Sequence, residues 1–182
     1  MNADTTFYSS RLVAARQHLT EFVMIQANGL AEFVEFGWKP DPDAPSTFDD
    51  LHREYCWSST FKTDLPVSSL HSDTTIYVTP EANYAMRFWH DVTHVRLMAG
   101  FDVDGELEVA VAHLDVLRAW GFGSETFEHK LLHADTIGQL YFSLVAGTFP
   151  VDQLRFAEAC IELGTAEAIE RERLALSTPE LN

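Results

Sequence analysis

The stretch that most constrains the fold runs from Thr79 to Trp120, because it carries helix-start and helix-stop signals twice with only a short turn between. Thr79 suits an N-cap, Pro80 the first helical position, and Glu81 the positive end of a helix. Gly100 is a natural stop, suited to the left-handed conformation that follows a last helical turn. Asp102, Val103 and Asp104 then make a turn, and Gly105 and Glu106 open a second helix that ends near Trp120, with Gly121 as its stop. A connection this short makes the two helices antiparallel neighbours. A helical hairpin is therefore the expected centre of the molecule.

Inside that hairpin the chain reads His90-Asp91-Val92-Thr93-His94, followed by Glu106. Residues four apart stack on one helix face, so His90 and His94 point the same way. Asp91 lies ~100° around the axis from His90 and His94 lies between them, so all three reach one point beside the helix. Glu106, in the first turn of the next helix, folds back toward His94. Two imidazoles and two carboxylates are a ligand set for a divalent cation, whose charge cancels the carboxylates that would otherwise repel when buried. An HDxxH string alone arises by chance in roughly two or three chains per hundred of this size; the added Glu lowers that to a few per thousand. The alternative is an amphipathic helix with satisfied histidines and a solvated carboxylate.

The pattern HDxxH, eleven residues, Glu, closed here by Gly105-Glu106-Leu107, resembles the metal motif of the coenzyme Q biosynthesis protein 4 family (ubiquinone biosynthesis). The resemblance covers roughly Phe88 to Ala112. It implies an all-helical protein, with His90, Asp91, His94 and Glu106 as metal ligands, and a role in oxidative removal of a carboxyl group from a quinone-precursor ring.

The rest of the chain reads as helices around the hairpin. Apolar residues recur at helical spacing from Ser10 to Phe36, with Asn28-Gly29 as a break or kink. Gly37 to Pro45 carries three prolines and reads as a loop; Phe48 to Trp57 reads as a short helix capped by Thr47 or Ser46. Thr60 to Ser72 reads as irregular, and Thr74 to Val78 as an extended segment too isolated for a sheet. Ser124, Pro150 and Thr165 open three later helices, the second ended by Gly164. The expectation is an all-α single domain over 1–182, a bundle of five to six helices with little or no β-structure and a frayed tail at 177–182.

Other polar residues admit competing roles. His113, seven after Glu106, shares its face and orients Glu106 by a hydrogen bond, acts as an acid–base group near bound substrate, or sits at the surface. Arg87 and Arg96 flank the motif and suit an anionic substrate group, or form surface ion pairs. His129 and His133, with Asp135 close by, are a conceivable second metal site. Glu128 and Lys130 read as solvated, and His18, His52 and His71 have no identifiable partner. Phe88, Trp89, Phe101, Trp120, Tyr141 and Phe142 read as core, some lining an apolar pocket over the metal.

The set admits one divalent ion, zinc first, with iron, cobalt or manganese also suited. The leading reading is a metal-dependent enzyme acting on a small carboxylated or aromatic substrate. An HD-type phosphohydrolase would instead use His90-Asp91 with His52 or His71 upstream and Asp135 downstream, leaving His94 and Glu106 idle. A zinc protease is disfavoured, since Asp91 is a methylene shorter than the Glu such sites use as base. A noncatalytic acidic protein with a structural metal, mimicking DNA toward a basic protein partner, is a third class. The formal charge of −16, from 28 acidic and 12 basic residues, argues against direct nucleic-acid binding. A homo-oligomer is compatible with the sequence. Two cysteines without CxxC spacing, no signal-peptide pattern and no transmembrane-length apolar run point to the cytoplasm.

Overall fold

The stop signals divide the chain into rods, and a computed structural model describing residues 3–177 shows seven of them among those residues. In order these are α1 (Ala3–Val34), β1 (Trp38–Asp41), α2 (Phe48–Phe61), β2 (Leu65–Ser68), α3 (Pro80–Leu97), α4 (Val103–Ala119), α5 (Phe127–His133), a π-helical turn (Ala134–Gly138), α6 (Gln139–Ala146), α7 (Gln153–Leu163) and α8 (Thr165–Ser177). α5, the π turn and α6 form one continuous rod. The all-α expectation holds, with more rods than the five or six expected. The expected tail lies outside the described residues except for Ser177, which ends α8.

Several caps stand where the sequence placed them. The Thr47 and Thr79 side chains accept from the amides of Asp50 and Ala82, and Asp102 from Gly105. Gly121 (φ 96°) and Gly164 (φ 88°) take positive φ after α4 and α7. α1 runs unbroken through Asn28-Gly29. Other starts move by a residue or two: Thr126 caps α5 rather than Ser124, and Asp152 caps α7 beyond Pro150.

The main correction is a two-stranded parallel pair, β1 with β2, in the register Trp38 to Leu65 and Asp41 to Ser68. The sequence reads as loop there because Pro40 and Pro66 cannot donate to a ladder. Each strand has only one partner in the pair, so a missing donor can face outward. Parallel strands need a crossover, and α2 supplies it.

The core lies where α1 crosses α3. Leu19, Phe22, Val23 and Ala27 of α1 are buried, as are Ala85, Phe88, Trp89 and Val92 of α3. Phe22 meets both Trp89 and Trp120 edge-on at 5.5 Å, a favoured geometry for aromatic pairs. Leu131 and Leu132 of α5 and Phe156 of α7 close the other side. The extended segment 74–78 is no strand. Three of its carbonyls are satisfied by one side chain, Arg16 of α1, which donates to Ile76 at 2.9 Å, Tyr77 at 3.0 Å and Thr75 at 3.4 Å, while the Thr74 carbonyl accepts from the Leu154 amide at 2.8 Å.

Candidate metal centre

The hairpin closes more tightly than its turn residues alone indicate. Gly105 packs directly on Gly100: a methyl group at Gly105 would run into the Gly100 carbonyl oxygen and lie 2.8 Å from the Gly100 nitrogen. Only glycine permits that approach. It brings the first turn of α4, and so Glu106, against the last turns of α3.

There the side chains converge. His94 Nε2 lies 2.9 Å from His90 Nε2, and Glu106 Oε2 lies 3.3 Å from His90 Nε2 and 3.6 Å from His94 Nε2. Donor atoms around a tetrahedral cation bonded at about 2.0–2.1 Å lie roughly 3.3 Å apart, so the three fit one ion. His94 is fully buried, while His90 and Glu106 are about a quarter exposed.

The helix stop orients His94. The left-handed residue is Met98 (φ 55°), not Gly100. The chain turns there because the amides of Met98 and Ala99 must return to the carbonyls of Val95 and His94. The same turn presents the Ala99 carbonyl to His94 Nδ1 at 3.0 Å. A ring that donates from Nδ1 keeps the Nε2 lone pair for a cation, the usual outer support of a metal-ligating histidine. Burial alone would push the Glu106 carboxyl up, but hydrogen bonds and charge from His90 and His94 outweigh it and hold the pKa at about 2. Burial disfavours a charged His94, yet Glu106 and the Ala99 carbonyl leave its pKa raised.

Asp91 is not one of the three converging donors, which are His90, His94 and Glu106. It lies a helical step away, close enough to feel both imidazoles, Arg87 and Glu106, while burial raises its pKa to about 6. Arg87 donates to the carbonyls of Ser68 and, at 2.6 Å, Leu70. It faces Asp91 and Asp135 by charge.

His90, Glu106 and Arg87 line a cavity of about 660 Å³ whose apolar wall includes Leu70, Met86, Phe101, Leu140 and Phe149. Of the aromatic residues expected over the metal only Phe101 lines it; Phe88, Trp89 and Phe142 are core, and Trp120 and Tyr141 are substantially exposed. The wall opposite α3 is the π turn. Asp135, Thr136 and, just beyond it, Gln139 all line the cavity. Asp135 accepts from Tyr77 Oη at 3.1 Å and Gln139 Nε2 at 2.8 Å. Burial lifts its pKa to about 6 against the opposing pull of Tyr77, Arg87, His90 and Gln139. The sequence reading missed this pole of the cavity because Tyr77 is remote in sequence and nothing in the residue types marks a π turn.

Other expectations resolve differently. Arg96 is exposed and lies over the Phe33 ring at 5.4 Å, outside the cavity. His113 is 1% exposed, not at the surface, and its ring lies 5.5 Å from that of His90. His129 and His133 join no cation-binding cluster among the described residues. Glu128 is not solvated but buried, 2.7 Å from His18 Nδ1, which gives His18 a partner. His52 lies beside Cys56 on α2, and His71 is exposed at the cavity edge, so no HD-type cluster forms with Asp135. No helix among the described residues is long and apolar enough to cross a membrane. No known family, curated protein or solved structure matches the chain.

Proposed function

We propose that the chain is a metalloenzyme that holds one divalent cation at His90, His94 and Glu106, with the Asp91 carboxylate adjacent as a fourth group. One observation carries this reading: three nitrogen and oxygen donors converge at tetrahedral spacing, two of them on the wall of an apolar cavity. A cavity beside the donors distinguishes a reactive site from a closed structural one. The mixed donor set suits zinc first, and also iron, cobalt or manganese. A cation there supplies Lewis acidity toward a carboxyl or carbonyl oxygen, or activates water or oxygen.

The cavity wall argues for the substrate class. Asp135 and Glu106 put two carboxylates on that wall beside the guanidinium of Arg87. An HD-type phosphohydrolase is disfavoured because His52 stays beside Cys56 on α2 and no donor cluster forms around Asp135 among the described residues. A largely apolar molecule with one carboxyl or carbonyl group fits better. The resemblance of Phe88 to Ala112 supports a carboxylated aromatic, quinone-precursor-like ring. The apolar wall and the Arg87 guanidinium would hold such a ring while His90 and Glu106 face its polar end.

Elemental analysis of protein purified without added metal, as wild type and as His94→Ala, tests the site. About one equivalent of metal in wild type and its loss in the variant are expected. Equal metal content in the two removes the proposal. Release of carbon dioxide from hydroxybenzoic acids by the loaded protein, absent in His94→Ala, tests the reaction.

A further inference from the structure

We infer that His113 is a positioning residue for His90, its Nε2 accepting a hydrogen bond from His90 Nδ1–H when a cation is bound. The inference rests on the reading of His90, His94 and Glu106 as a cation site, and it assigns a role to an atom that site leaves unexplained. His113 Nε2 is a fully buried side-chain nitrogen with no hydrogen-bond partner. Buried polar atoms are almost always satisfied, so this nitrogen calls for a partner.

The neighbouring hydrogen bonds identify that partner. With both rings neutral, His94 Nδ1–H donates to Ala99, so His94 Nε2 is a bare acceptor. The 2.9 Å contact between the two Nε2 atoms then requires the proton on His90 Nε2. A neutral imidazole carries one N–H, so His90 Nδ1 is bare as well. Nothing hydrogen-bonds to it among the described residues. The neighbouring imidazole is His113, whose ring centroid lies 3.9 Å from that of Trp89 and 5.5 Å from that of His90. With His90 Nδ1 bare, an acceptor at His113 Nε2 finds no donor on this ring.

A cation at His90 Nε2 reverses this. The ring exchanges its Nε2–H for Nδ1–H, with no net proton gained or lost, and the new donor needs an acceptor. An N–H···N hydrogen bond of about 2.9 Å between imidazoles places the ring centroids roughly 5 Å apart, so the observed 5.5 Å requires only a side-chain adjustment. The pairing gives His90 what the Ala99 carbonyl gives His94. It also explains why α4 carries His113 two turns after Glu106 on the same face: one helix contributes a ligand and the support of another ligand.

The test uses the full chain, labelled with nitrogen-15 and loaded with zinc. A nitrogen–nitrogen coupling across the hydrogen bond between His90 Nδ1 and His113 Nε2 is expected in the loaded protein and absent without zinc. Competition against a chelator is expected to show zinc affinity about 10–100-fold weaker in His113→Leu. In His113→Gln, whose carbonyl keeps an acceptor, the loss should stay within about threefold. Thermal melting of zinc-free His113→Leu checks that this variant folds; its stability should match wild type, since no hydrogen bond is lost. Zinc uptake without the coupling, or equal losses in the two variants, overturns the role of His113 and leaves the cation site standing. A wild type that takes up no zinc overturns the site, and this inference with it.

Discussion

Asp135 shows how a single carboxyl registers its surroundings. Its pKa of about 6 in the folded chain lies above the ordinary 3.8. The folded state therefore binds more protons than the unfolded state between those values. Stability falls as pH rises from about 4 to about 6 and stays at the lower level beyond. Asp135→Asn removes that titration while keeping one carbonyl acceptor. The cation-free variant should match wild type near pH 4 and exceed it near pH 8 by no more than about 3 kcal/mol, the worth of roughly two pKa units. Denaturant melts at the two pH values check this, and a variant less stable at both would refute it. At this scale the sequence was readable where helix periodicity alone decides, as for His90 and His94. It was not readable for Arg87, whose N–H groups go to carbonyls of the Ser68–Leu70 loop. Nor was it readable for Asp91, which one helical step carries off the point where the other three meet.

The hairpin turn decides whether the elements present their residues together. Gly105 touches Gly100 with no space for a methyl group, and the obstacle is backbone that cannot rotate away. Gly105→Ala should therefore push α4 from α3 and cost at least about 1–3 kcal/mol. It should weaken zinc binding more than His94-remote substitutions of equal cost; equal affinities in chelator competition would count against the turn's role. The long rods and their caps were legible, because Thr47, Thr79 and Asp102 act on amides three residues away. The β1–β2 pair was not, because its strands are joined only through α2 and each contains a proline. The π turn was equally silent, since the choice between α and π is made by packing against α7 and the cavity rather than by residue type.

For the whole molecule the useful quantity is the cavity, not the charge. Acidic residues spread over the surface make the net charge of −16 and name no partner. The space beside His90 and Glu106 needs contributions from the β2 loop, α3, α4, the π turn, α6 and the start of α7. Leu140→Trp should fill part of it. Binding of the uncharged fluorescent probe N-phenyl-1-naphthylamine should then fall about tenfold while zinc content stays at the wild-type level. Unchanged probe binding would mean the cavity does not take apolar molecules.

A π turn holds one residue more than the α turn it replaces. Because the wider turn absorbs that residue, excising one there would restore an uninterrupted α rod while the helix beyond kept nearly its present facing. Gln139 would stand three residues after Asp135 instead of four, and the side chains within the turn, not those of the rod beyond, would change what faces the donors of α3 and α4. The chemistry-bearing hairpin and the wall opposite it are thus separable in inheritance: a one-codon deletion edits the turn and leaves both the hairpin and the rod beyond in place.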